Sequence, residues 1–136
     1  MREIIGFHFL IATVLLTSCI SATKPTNCEN FKNGRFEIHS NFDNSISIID
    51  RNDSIQTETD SKTGQVTKAR INWTTECEYE LFYFTPTSDT SDKIDSFLQS
   101  RPLKTIIIKN SEDYYIFKSS MEGIGVTLVD TMRVLR

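Results

Sequence analysis

The chain has 136 residues, 15 Lys and Arg against 18 Asp and Glu, a net charge of -3, three cysteines and two histidines. That length suits one small domain better than two. The balance is slightly acidic, with no basic run and no arginine-interleaved aromatic platform, so nucleic acid is not an expected partner.

Residues 1–18 read as an export signal, to be set aside before the fold is considered. Arg2 gives a weakly positive start, and 4–16 is mostly apolar, interrupted by Gly6, His8 and Thr13. The run is shorter than the roughly 20 apolar residues of a spanning helix. It ends at Leu16-Thr17-Ser18-Cys19, which resembles a bacterial lipobox, in which small residues precede a cysteine that receives lipid and becomes the mature first residue. Cys19 is then the lipidation site, a palmitate-type acyl anchor. An ordinary signal peptide with an incidental cysteine is the competing reading. Two or three acyl chains, at about 0.8 kcal/mol per buried methylene, hold a domain on a membrane stably. Ile20 stands where aspartate is the usual inner-membrane retention signal, which favours the outer membrane. The tether 19–27 lacks an acidic cluster, so the domain is expected to face the periplasm. Residues 28–136 form the expected single β domain.

Cys28 and Cys77 remain, an even pair in an exported chain, and a structural disulfide is the expected use. Metal ligation lacks partners, because His8 leaves with the signal and only His39 remains; no metal and no cofactor are expected. A Cys-His nucleophile pair stays open by count alone.

The rest of the chain alternates at period two, the spacing of a strand with one face inward. Phe36 and Ile38 alternate with Arg35, Glu37 and His39, and Ile46 and Ile48 with Ser45 and Ser47. Asn52-Asp53 marks a turn. Ile55, Thr57 and Thr59 then face away from Gln56 and Glu58, and 61–64 makes the next turn. Ala69, Ile71 and Trp73 share one face; Cys77, Tyr79, Leu81 and Tyr83 share another, with Phe82 and Phe84 on an outer face that suggests a cover. A short helix is expected from Thr90 or Ser91 to before Pro102, with Ile94, Phe97 and Leu98 in one apolar stripe and Asp92 in its first turn. Three strands follow, at 103–109, 114–119 and 126–135. About eight antiparallel strands in local order suggest an up-and-down meander, closed as a lipocalin-like barrel or half-barrel. A two-sheet sandwich needs the same alternation.

Three segments carry a family pattern: Cys28-Glu29-Asn30-Phe31-Lys32-Asn33-Gly34-Arg35-Phe36, then Arg51 with Gln56-Thr57-Glu58, then Trp73-Thr74-Thr75-Glu76-Cys77-Glu78-Tyr79-Glu80-Leu81. They resemble the recurrent pattern of small uncharacterised lipoproteins of Bacteroidetes-type bacteria, over roughly 28–83. The resemblance brings no activity with it.

The motif residues have physical readings of their own. Gly34 after Asn33 suits a turn with positive φ. Arg51 and Glu58 flank a turn and either pair across the hairpin, contributing about 0.2 to 1 kcal/mol, or orient a ligand in a barrel mouth. Trp73 is a core plug or a ligand platform, and its indole N–H needs a partner when buried. Glu76, Glu78 and Glu80 read as a solvated strand face. Two functions follow: a non-catalytic binding or envelope-structural module that holds a small apolar ligand or docks on an envelope protein, or a small hydrolase using carboxylates such as Glu58 and Glu78. With one mature histidine and no nucleophile context, the expectation is that the chain is not an enzyme.

Overall fold

The computed structural model describes residues 25–40, 44–84 and 100–136. Each apolar alternation becomes a strand: β1 (Gly34–His39), β2 (Ile46–Asn52), β3 (Ile55–Asp60), β4 (Val66–Trp73), β5 (Glu78–Tyr83), β6 (Leu103–Asn110), β7 (Tyr114–Met121) and β8 (Thr127–Leu135). Each pairs antiparallel with the next, and β8 returns to β1 from Arg35 opposite Leu135 to Ile38 opposite Met132. The sheet is a closed barrel, so no strand offers a free edge. One continuous ladder sets aside both the sandwich and the half-barrel. The helix expected from Thr90 or Ser91 to before Pro102 falls outside the described residues as far as position 99.

Inward residues build a packed lumen around Phe36, Ile49, Ala69, Leu81, Ile107 and Phe117. On β2 the buried face is Ile49 and Arg51, while Ile46 and Ile48 are only half-buried. The register explains this, since Ile49 stands opposite the buried Phe36. Cys77 lies in the turn before β5 rather than on the strand. Phe82 is half-buried and Phe84 is 44% exposed; the cover expected over that face lies for the most part outside the described residues. In β6 the register slips between Ile107 and Lys109. Such a bulge re-aims side chains. It leaves Ile106, Ile108 and Lys109 all exposed while Ile107 is buried, so strict alternation does not carry the lysine into the core.

A 3-10 turn, Cys28–Phe31, closes one end of the barrel. Its two apolar side chains, Cys28 and Phe31, are buried, and the Phe31 ring packs 4.8 Å from that of Tyr115. Gly34 then opens β1 at φ +132°, a conformation that L side chains rarely adopt. Three ties hold this plug. Cys28 and Cys77 form a disulfide across 49 residues of sequence. Asn33 donates to the Asp53 carboxylate at 2.6 Å and accepts from the Asp53 amide at 2.8 Å, joining the plug to the β2–β3 turn. Thr26 and Asn110 bond each other reciprocally, joining it to the end of β6.

Closing a loop of this size restricts the unfolded chain by about 4 kcal/mol in the chain-entropy model. The double variant Cys28→Ser/Cys77→Ser is expected to lose up to about 4 kcal/mol of unfolding free energy in urea. An unchanged midpoint would mean that the asparagine ties and the packing of Phe31 hold the plug unaided.

Candidate functional site

The β2–β3 hairpin turns over Asp53 and Ser54, with Asn52 paired to Ile55, and this register places Arg51 directly opposite Gln56. Both side chains therefore point inward from neighbouring strands. Arg51 is 4% exposed and Gln56 2%. A buried guanidinium is costly unless its donors are met. Here all five N–H groups have acceptors. Nε and Nη2 both donate to Gln56 Oε1, at 2.9 Å from Nε. Nη1 donates to the Phe31 carbonyl at 3.0 Å and to the Tyr115 hydroxyl at 3.1 Å, and Nη2 also to the Tyr79 hydroxyl at 3.3 Å. Rings complete the enclosure, with the guanidinium carbon 4.8 Å from the Tyr79 centroid, 5.4 Å from Phe36 and 5.8 Å from Trp73.

Gln56 passes the polarity onward. Its Nε2 donates to Glu58 Oε1 at 2.6 Å, and the Tyr83 hydroxyl donates to the same oxygen at 2.9 Å. The amide thus turns its oxygen to the cation and its nitrogen to the carboxylate, the orientation that two opposite charges impose. The Arg51–Glu58 pair expected across the hairpin is therefore replaced by a relay, because Glu58 sits one inward position further along β3 than the residue facing Arg51. Nearby, Thr105 and Ser119 join their hydroxyls at 2.8 Å, and the Tyr115 hydroxyl donates to Met132 Sδ at 2.7 Å.

Burial alone would lower the pKa of Arg51, but the tyrosine oxygens of Tyr115 and Tyr79 outweigh it and leave the pKa raised, so the side chain stays charged. Burial pushes Tyr115 well above the ordinary tyrosine range despite the opposing effect of Arg51. Burial and the Glu58 carboxylate push Tyr83 the same way.

Of the residues singled out in the sequence, Arg51 meets the Trp73 ring and reaches Glu58 through Gln56, and Cys28 is bonded to Cys77; Cys19 lies outside the described residues. Trp73 packs half-buried against the core, its ring 4.7 Å from Tyr79 and beneath the Lys32 ammonium at 5.5 Å. Its indole N–H is buried without a hydrogen-bond partner among the described residues, contrary to the expectation that burial brings one. The ring face serves two cations and the N–H serves neither. Glu58 and Glu78 do not converge: Glu58 faces the lumen and Glu78 alternates with the buried Tyr79 on the outer face. Among the described residues no three His, Cys, Asp or Glu side chains gather as a metal site. Sequence reading passed over Gln56, Tyr79, Tyr115 and Met132. Gln56 was within reach, since counting two turn residues after Asn52 sets it opposite Arg51.

No family model matches this chain, and no curated protein or solved structure matches it.

Arg51→Met removes the donors, strands the Gln56 amide oxygen and the Phe31 carbonyl and takes one partner from each of two tyrosine hydroxyls; it is expected to cost about 2 to 4 kcal/mol by denaturant unfolding. Arg51→Lys keeps the charge with three donors in place of a planar five and should cost less. Stability equal to wild type in both would mean that the guanidinium does not organise the barrel. A second test uses pH. Tyr83 and Tyr115 ionise less readily folded than unfolded, so their contribution is intact below about pH 10 and is lost as pH rises beyond it. Phenolate absorbance from these two of the four tyrosines is expected only together with loss of the native circular dichroism.

Proposed function

We propose that this domain is a lipid-anchored, non-catalytic module of the bacterial envelope, held at the outer membrane facing the periplasm, which acts through its outer surface by docking on another envelope component. The observation that carries this reading is the interior. The lumen, where a ligand-carrying barrel would keep space and unmet polar groups, is filled by aromatic and aliphatic side chains around an arginine whose donors are all used. A small apolar ligand would have to displace that packing.

Three concavities lie outside the lumen. One, of about 290 Å³, sits over the plugged end between Asn27, Asn30 and Asn110; another, of about 430 Å³, runs beside the disulfide; a third, of about 470 Å³, lies on the outer wall between Arg70, Phe82 and Phe84. Exposed apolar side chains, among them Ile124, Val126, Leu128 and Val129, give the outer wall more to offer a partner than the lumen offers a ligand. The hydrolase reading loses its carboxylate pair, since Glu58 and Glu78 stand on opposite sides of the wall.

Native mass spectrometry of the Cys19→Ala form, purified from the periplasm of its own host, is expected to show the bare polypeptide mass. A stoichiometric small molecule surviving purification would overturn the docking reading in favour of a carrier.

A further inference from the structure

The described chain begins at Pro25, and its surroundings are specific. Pro25 lines the groove of about 430 Å³ together with Thr75, Cys77, Ile106 and Ile108. Its carbonyl lies 3.9 Å from Cys77 Sγ, and the next residue, Thr26, is tied to Asn110 in both directions. The point where the tether joins the barrel is thus clamped to the disulfide end, beside two isoleucines that are each 43% exposed.

From these observations we infer that the disulfide end of the barrel faces the bilayer and that the Ile106 and Ile108 shoulder rests in its interfacial layer. The inference rests on the reading of Cys19 as the lipid anchor. Six peptide steps separate Cys19 from Pro25; any chain of that length reaches about 20 Å at full stretch, and a random coil of it averages about 13 Å. The far end of the barrel, at the β3–β4 turn, is a strand length away. Eight residues of β4 at about 3.4 Å each, tilted by about 40°, put it roughly 20 Å along the barrel axis. Standing the domain on that far end demands a fully taut tether, whereas any slack arrangement brings Pro25 and its groove to the membrane first.

The chemistry of the shoulder fits a lipid surface better than a charged one. Glu76 and Glu78 flank the groove, and Ile106 stands in the ladder between Glu78 and Lys118. Mixed charge gives no net attraction to anionic headgroups, so the contact is apolar, shallow and insensitive to salt. Alternation along β6 sets Ile106 and Ile108 side by side on the outer wall, and the bulge beyond Ile107 keeps Lys109 on that wall too.

The experiment uses the full lipidated chain in phosphatidylcholine vesicles whose acyl chains carry bromine, a short-range quencher of indole fluorescence. Trp73 is the single native tryptophan and packs against the core, so wild type sets the baseline. Ile108→Trp is expected to show bromine quenching at least twofold above that baseline, equal in low and high salt, and Val66→Trp at the far end none. Ile106→Trp repeats the reading should Ile108→Trp fail to fold. Equal quenching at both ends, or at neither, in protein that floats with the vesicles overturns the orientation and leaves the anchor standing. Flotation of Cys19→Ala as complete as that of wild type removes the anchor, and the orientation argued from its tether falls with it.

Discussion

A single guanidinium decides how this barrel closes. Eight strands can wrap around an apolar filling, yet the plug must bring its backbone with it, and a buried peptide carbonyl needs a donor. Arg51 supplies one to Phe31 while holding Tyr79, Tyr115 and Gln56 on three other strands. The planar fork reaches four elements at once, which neither a lysine nor a neutral side chain does. Registry between the two halves of the barrel is thereby tied to the position of the plug. The charge itself is balanced at one remove, through the amide of Gln56, by a carboxylate that two donors stabilise.

The sequence displayed the strands and the staple more openly than the hub. Alternation is a local signal, so Phe36 with Ile38, Tyr79 with Leu81 and the turn before Ile55 could be read in place. The disulfide followed from counting. What decides the role of Arg51 is not local: it depends on which residue a two-residue turn sets opposite it, and on β7 and β8 bringing Tyr115 and Met132 to the same depth from the far side of the ring. Ile46 and Ile48 illustrate the same limit. Their hydrophobicity points inward, but pairing with Phe36 selects Ile49 instead. An arginine on a strand reads as surface until closure is known.

A filled lumen also moves the division of labour outward. Barrels that carry ligands leave their interior polar groups under-bonded, waiting for a guest. This one, the Trp73 indole N–H apart, spends its polar groups on each other, layer by layer, from the Arg51 enclosure to the hydroxyl pair of Thr105 and Ser119. Specific surface features, such as the stacking of Arg70 on Phe82 at 5.0 Å, are then the parts of the molecule free to vary without loss of the fold.

The path of the disulfide has a mechanical consequence. A load applied at the N-terminal end of such a barrel would ordinarily peel β1 from its neighbours one hydrogen bond at a time. Here tension arriving at Cys28 passes through sulfur to Cys77, at the junction of β4 and β5. Force bypasses β1 and enters the wall on its opposite side, where it must shear several strands together. The bridge that shortens the unfolded chain thus also shields the β1–β8 seam, the closure on which the barrel depends, from unzipping under load.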